Sequence, residues 1–424
     1  MSKPLEGVRV LDLSHVIAGP LASFYLAQLG AEVIKIEPPG SGEVMRASRP
    51  GTGDADTPAG FVALNAGKRS LALDIRTPEG ANIVRELVAT ADVFIENFRP
   101  GVVARHGLDY ETVKAIKSDI VYCSISGYGQ QGEWSKRGAY DHVVQALTGM
   151  MMMSGDSQDP TPVKVGFPVI DVAVGMLGSL SITAALLRRA RDGTGQFIDA
   201  SMVQASMMLM YPNASAFLSS GAEPQRVGNR GYTGSPTADT YRCADGWLAT
   251  AANTPAQFRK LSEVLDLQSL CDDGAALDLE SFNAPGGGFV VARNLDYLRA
   301  RFNAAFLVRS AAAMETALNA VGVPAARVRR LGEFLRETDG TDKVTLPIGA
   351  FRQADQLVRT PGLGFLNSFD GGCNGQGAEH LGHSTRSLLE ELGVSPDTLA
   401  RLARDGVVGT IAPTSVEPQP AKWC

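Results

Sequence analysis

The chain of 424 residues is short of the signals that most often reveal a protein's chemistry. Its five cysteines, Cys123, Cys243, Cys271, Cys373 and Cys424, are scattered, and no two have CxxC spacing. An odd, dispersed set argues against a disulfide framework and against a zinc site, so no metal is expected and a reducing, cytoplasmic setting is. There is no Walker A loop, no GxSxG elbow and no HExxH helix, and the first strand is not followed by GxGxxG. Those gaps remove the usual grounds for a nucleotide-hydrolysing P-loop, a serine hydrolase, a zinc protease or a nicotinamide cofactor. Basic excess is also missing: 39 Lys and Arg stand against 45 Asp and Glu. No nucleic-acid partner is expected, because a phosphate backbone calls for a clustered basic surface. Met1–Gly7 contains no apolar stretch of the kind found in secretion signals. The longest apolar run, Val172 to Leu187, is interrupted by Gly175 and Gly178, ends at Arg188 and Arg189, and is short for a membrane span. It reads as a buried helix, and no membrane partner is expected.

What is present is an alternation of strands and helices. Strands are expected at Val8–Leu13, Glu32–Ile36, Leu71–Ile75, Asp92–Glu96 and Ile120–Ser126, with helices at Pro20–Leu29 and Pro78–Ala89. Apolar strands alternating with helices imply a Rossmann-like α/β domain, its sheet mostly parallel and covered on both faces. From about Gly221 the pattern changes to short strands around Asp245-Gly246 and helices at Pro255–Leu265, Leu298–Arg309 and Ala311–Val321. This predicts a smaller α+β domain. The expected division is 1–205 with 345–424 as the large domain, 221–330 as the small one, and 206–220 and 331–344 as linkers. A last helix is expected at Ser384–Leu392, and the Pro-rich tail after Ala412 reads as extended or disordered.

Three places carry candidate chemistry. Asp171 stands before the apolar run, where a carboxylate either caps a helix or acts as nucleophile or base. The turn His15-Val16-Ile17-Ala18-Gly19-Pro20 follows the first strand, and Glu96-Asn97-Phe98-Arg99-Pro100-Gly101 ends the fourth. Strand carboxyl ends are the binding edge of such a sheet. Lys68, Arg69, Arg76, Arg99 and Arg105 are candidate phosphate ligands, though each alone also fits a solvated charged face.

An ordered set of segments runs through most of the chain. It comprises Pro4-Leu5-Glu6-Gly7, Arg9-Val10-Leu11-Asp12, Ala18-Gly19-Pro20, Leu29-Gly30-Ala31-Glu32-Val33-Ile34-Lys35-Ile36-Glu37 and Gly40-Ser41-Gly42. It continues through Asn65-Ala66-Gly67-Lys68-Arg69-Ser70, Val93-Phe94-Ile95-Glu96-Asn97-Phe98, Ser126-Gly127-Tyr128-Gly129, Tyr140-Asp141, Gln145-Ala146, Asp171 and Leu381-Gly382-His383-Ser384-Thr385. In this order the set resembles the family III CoA-transferases, which include formyl-CoA transferase, succinyl-CoA:dicarboxylate CoA-transferases and carnitine CoA-transferase. The resemblance implies an acyl-CoA and a carboxylic acid as substrates, no permanently bound cofactor, and an interlocked homodimer. It also implies that Asp171 attacks the thioester to give a mixed anhydride, then an aspartyl-CoA thioester, from which the acceptor acid takes the CoA.

By the same resemblance the CoA site includes His15, Val16, Ile17, Ala18, Leu73, Arg76, Asn97, Phe98, Arg99, Arg105, Gly138, Tyr140 and Asp141. The loop 228–236, with Gly231, Gly234 and Ser235, matches the family's glycine loop but has fewer consecutive glycines. Three departures stand out: Ile17 replaces a glutamine of formyl-CoA transferases, Pro38 replaces a basic residue, and Gly138 replaces a frequent lysine. Arg46 and Arg49, with the shortened loop, suggest a dicarboxylate acceptor. Two alternatives remain at this stage. One is a 2-methylacyl-CoA racemase, which pairs the aspartate with a histidine where this chain has Tyr140. The other is a non-catalytic CoA-binding protein.

Overall fold

A computed structural model describes residues 3–47, 57–156, 158–231, 234–286, 288–354, 356–368 and 375–409. Arg49, Tyr232, Thr233 and the tail after Ala412 lie outside the described residues. The chain divides into two compact units. The larger comprises 1–150, 164–221 and 346–424, and the smaller 151–163 and 222–345.

The larger unit is built on a seven-stranded sheet. Its first six strands are β1 (Arg9–Asp12), β2 (Glu32–Glu37), β3 (Arg69–Leu73), β4 (Val93–Glu96), β5 (Val121–Ser126) and β6 (Gln196–Ser201). They run parallel in the order β3-β2-β1-β4-β5-β6, and the short strand Val408–Gly409 closes the β3 edge antiparallel. β4 and β5 are buried along their whole length, as a parallel sheet covered on both faces requires. On one face Ile83, Val84, Leu87 and Val88 of the helix Pro78–Val88 join Leu388, Leu389, Leu399 and Leu402 over Leu11, Ile34 and Phe94. That helix starts where its residues dictate: Thr77 accepts a hydrogen bond from the Gly80 N–H and Pro78 occupies the first turn.

The helices Ala18–Gln28 and Val169–Asp192 pack together. Gly175 permits their close approach, since a Cβ there would sit 2.7 Å from the Ala18 carbonyl oxygen. The Val169–Asp192 helix is not fully buried as expected: Met176, Leu180 and Leu187 are exposed. The segment 206–220, expected as a linker, is instead the end of the helix Met202–Leu209 and the helix Tyr211–Ser220, both in the larger unit.

The smaller unit carries β7 (Asp239–Cys243), β8 (Gly246–Thr250) and β9 (Ala325–Arg327), antiparallel in that order. Helices Pro255–Val264, Leu295–Leu307 and Ala311–Ala320 bury Phe258, Leu261, Phe302, Phe306 and Leu318 against Tyr241 and Leu248. The segment 331–344 belongs to this unit and is not a free linker. Its helix Leu331–Thr338 is tied in by Glu337, which pairs with Arg327 and Arg329. The stretch 151–163 joins it too, because Arg226 donates to the carbonyls of Ser154, Asp159 and Thr161.

Candidate active site

Strand order 3-2-1-4-5-6 reverses direction between β1 and β4, and the carboxyl ends of those two strands open a crevice. The turn after β1 rests on a buried ionic cluster. Asp12 accepts from the Ser14 N–H (2.9 Å) and hydroxyl, from Ser23 Oγ (2.5 Å) and from Lys68 Nζ (3.0 Å). Lys68 also donates to the Pro20 carbonyl and to Asn65, and Lys35 donates to the Ser14 carbonyl at 2.9 Å. Burial raises the Asp12 pKa, but Lys68, Lys35 and the two serines outweigh it and hold the carboxyl well below its usual range. Burial lowers Lys68 to about 8 against the pull of Asp12. Lys68 is therefore structural, not a phosphate ligand.

Above this cluster, His15 and Asn97 join the two strand ends. The His15 N–H donates to Asn97 Oδ1 (2.9 Å) and Asn97 Nδ2 donates to the His15 carbonyl (2.8 Å). The amide of Asn97 thus mimics a strand partner where the sheet has ended. The His15 and Phe98 rings lie 5.3 Å apart. Burial, then Lys35, lowers the His15 pKa against Asp12, which keeps the imidazole neutral at neutral pH. Val16, with φ 68°, takes a backbone conformation that a β-branched residue rarely adopts, and Glu43 Oε2 holds its N–H at 3.0 Å.

A cavity of about 430 Å³ opens here. It takes in His15, Leu73, Arg76 and Phe98 of the expected CoA set. Val16, Ile17, Ala18, Asn97, Arg99, Arg105, Gly138, Tyr140 and Asp141 do not line it. Ile17 and Ala18 start the first helix, and Asn97 acts through the His15 backbone. Glu37, Glu43, Val102 and His106 line the cavity and were not foreseen. An acidic residue after a glycine-rich turn gives no sign of its burial, yet Glu43 is buried and its Oε1 has no partner among the described residues.

The expected cations separate into engaged and free. Arg69 pairs with Glu32 and Glu391, and Arg76 clasps Asp74 through two 2.8 Å contacts. Arg46, expected to meet a substrate carboxylate, is buried against Glu37 (2.7 and 2.8 Å) and over the Phe61 ring. Arg99 and Arg105 are exposed and have no ion-pair partner among the described residues. The Arg99 guanidinium lies where a Cβ on Gly138 would come within 3.1 Å, so the space left by the absent lysine is taken by another cation.

Asp171 is not a helix cap. It lies in the first turn of Val169–Asp192, whose capping position, Pro168, makes no side-chain hydrogen bond. Capping is supplied from outside: Asp141 Oδ2 accepts from the N–H groups of Ile170 (2.7 Å) and Asp171 (3.2 Å). Asp141 Oδ1 accepts from Gln145 Nε2 at 2.5 Å, and Gln145 Oε1 accepts from the Val165 N–H at 2.9 Å. Asp141 is thus occupied with the helix start, not available to a cofactor as expected. Gln145, marked in the sequence only as part of the family resemblance, is fully buried in a positioning role. The Asp171 carboxylate is half-buried and accepts no hydrogen bond among the described residues. Burial, then the charge of Asp141, raises its pKa to about 6. The helix N–H groups, given to Asp141, do not favour its ionised form. Tyr140 is exposed, its ring stacked near His142.

The glycine loop lies in the smaller unit. The Gly231 N–H donates to the Ala238 carbonyl at 2.7 Å, Gly234 has φ 72°, and Ser235 is buried beside Thr237.

The larger unit thus joins a doubly wound α/β sheet, a half-buried carboxylate at a helix start and a cavity at the strand ends. The chain belongs to CoA-transferase family III, whose profile matches residues 5–349. It is 39% identical over 275 residues to the succinate–glutarate CoA-transferase of Agrobacterium fabrum, covering 64% of this chain and 68% of that protein. It is 40% identical over 271 residues to the mouse succinyl-CoA:glutarate CoA-transferase, covering 64% of this chain and 62% of that one. The match thus spans about two thirds of these relatives. A CAIB/BAIF family protein from Brucella suis has a similar structure, with TM-score 0.77, 29% identity, and coverage of 92% of this chain and all of that one.

Proposed function

We propose that this enzyme moves CoA from an acyl-CoA thioester to a free dicarboxylic acid, with Asp171 as nucleophile. The observation that carries the reading is the Asp171 carboxylate, half-buried at a helix start and held without hydrogen-bond donors among the described residues. An Asp171 oxygen adds to the thioester carbonyl, the C–S bond breaks, and CoA leaves as thiolate. The thiolate attacks the aspartyl carbonyl of the resulting anhydride, releasing the first acid and leaving an aspartyl-CoA thioester. The acceptor carboxylate then attacks that carbonyl and displaces the thiolate, which cleaves the second anhydride at the acceptor carbonyl and restores Asp171. Each step exchanges one acyl bond for another, so the thioester's energy is retained while water is kept out.

The cavity at the carboxyl ends of β1, β2, β3 and β4 supports a site for part of CoA. The dicarboxylate acceptor is supported by the relatives' names, which specify succinate and glutarate. It draws no support from Arg46, whose charge is already paired. We also read the chain as a homodimer, supported by the exposed apolar residues on the helices Val169–Asp192 and Tyr211–Ser220.

The test uses an acceptor labelled with oxygen-18 in both carboxylates. The sequence of bonds leaves one labelled oxygen on the nucleophile after a turnover. Peptide mass spectrometry is expected to find that oxygen in Asp171, with CoA on succinate or glutarate. Label in a different carboxylate, or none in Asp171 after many turnovers, would overturn the assignment.

A further inference from the structure

The start of the Val169–Asp192 helix holds two carboxylates with different work. We infer that Asp141 is a positioning residue for the nucleophile: by accepting the N–H groups of Ile170 and Asp171, it withholds them from the Asp171 carboxylate and fixes a negative charge beside it. The inference rests on the reading of Asp171 as the attacking group.

The free N–H groups of a helix's first turn stabilise any carboxylate that reaches them. A carboxylate that accepts two or three such bonds is strongly favoured as the anion. It is also a poorer nucleophile, because bonds to the attacking oxygen weaken as its charge moves to the carbonyl. Here both N–H groups point to Asp141 Oδ2, at 2.7 and 3.2 Å. Asp141 cannot easily turn away, since Gln145 grips its other oxygen and is itself anchored by the Val165 N–H. Three donors hold the Asp141 carboxylate in place.

The surroundings leave Asp141 as the charge that acts on Asp171. The helices Ala18–Gln28 and Met202–Leu209, packed against Val169–Asp192, contain no Asp, Glu, Lys, Arg or His. Asp141 and His142 come from the helix Asp141–Leu147, β6 contributes Asp199, and β5 contributes Tyr122 and Cys123. Of these, Asp141 raises the Asp171 pKa, second to burial.

The test follows exchange of labelled free CoA into acyl-CoA, without acceptor, from pH 4.5 to 8.5. In the unaltered enzyme the rate is expected to fall on the acid side with a midpoint near 6, as Asp171 protonates. Asp141→Asn keeps an acceptor oxygen for the helix but removes the charge, and its acid midpoint is expected to move down, by less than about one unit. Asp141→Ala frees the N–H groups, and its plateau rate is expected to drop at least ~10-fold, with the KM for acyl-CoA nearly unchanged. An unmoved midpoint in Asp141→Asn, or an undiminished plateau in a folded Asp141→Ala, overturns the inference. If Asp141→Ala does not fold, the midpoint of Asp141→Asn decides alone. The oxygen-18 experiment separates the two claims: label in Asp171 with an unmoved midpoint sinks only the role of Asp141, whereas no label in Asp171 sinks the nucleophile itself.

Discussion

Asp171 combines a functional asset with a cost to the fold. Its pKa of about 6 lies above the ordinary carboxylate value, with burial the larger cause and Asp141 the smaller. A raised folded pKa means that the folded state favours the protonated form. Folding is therefore unpenalised below the unfolded pKa, and the penalty is complete once pH exceeds about 6. Asp171→Asn, nearly the same in shape, is expected to stabilise the protein at pH 8 by at most ~3 kcal/mol, with the gain shrinking towards pH 4. The same substitution removes the attacking oxyanion and is expected to lower turnover at least ~10³-fold. Chemical denaturation at the two pH values, beside an activity assay, checks both. Equal stability at pH 8 would contradict the strained carboxylate, and retained turnover would contradict its role. The sequence made Asp171 visible as a carboxylate beside an apolar helix. It could not show that the cap comes from Asp141, 29 residues away from the Ile170 N–H it accepts, because that pairing exists only after the two helices pack.

At the scale of elements, strand alternation in the first 130 residues was legible because parallel strands are short apolar runs punctuated by turns. β6 (Gln196–Ser201) was missed: three of its six residues are half-buried and one is exposed, and the strand is mixed in polarity, as suits a strand with a single neighbour. The helix expected to be last, Ser384–Leu392, is followed by another at Pro396–Arg404, whose Ser395 cap and first-turn proline were available signals. Lys68 shows why charged residues near strand ends mislead. Sequence alone cannot tell a phosphate ligand from a buried ion-pair partner, and the pairing with Asp12 makes Lys68 the latter. Lys68→Met leaves Asp12 buried without its partner and is expected to cost about 3–5 kcal/mol. Asn97→Ala removes both bonds to the His15 backbone, and is expected to raise the KM for acyl-CoA several-fold with a stability loss of about 1–3 kcal/mol. Urea titrations and steady-state kinetics measure the two. A Lys68→Met protein as stable as the parent, or an Asn97→Ala enzyme with unchanged KM, would show that the cluster and the pair do not hold the turn.

At the scale of the whole molecule, the unit boundaries were only partly legible, since 151–163 joins the smaller unit through Arg226, contacts made across more than 60 residues of chain. The exposed apolar faces were not legible at all, because hydrophobic periodicity shows that a face wants burial and not what buries it. On the Val169–Asp192 helix Leu180 is 65% exposed, and on Tyr211–Ser220 Leu218 is 84% exposed. Both helices belong to the larger unit, and exposed apolar side chains of this size fit an interaction surface. A second copy of this chain is the partner we propose, since both copies bring the same faces and a twofold contact is self-complementary. Sedimentation equilibrium at micromolar concentration is expected to give about twice the chain mass of 44.8 kDa. Leu180→Asp places a charge in that surface, at a cost of several kcal/mol if it is buried in the dimer. Loss of the dimer to monomer or aggregate is therefore expected. A parent chain that sediments as a monomer, or a Leu180→Asp dimer as stable as the parent, would show that this surface is not where the copies meet.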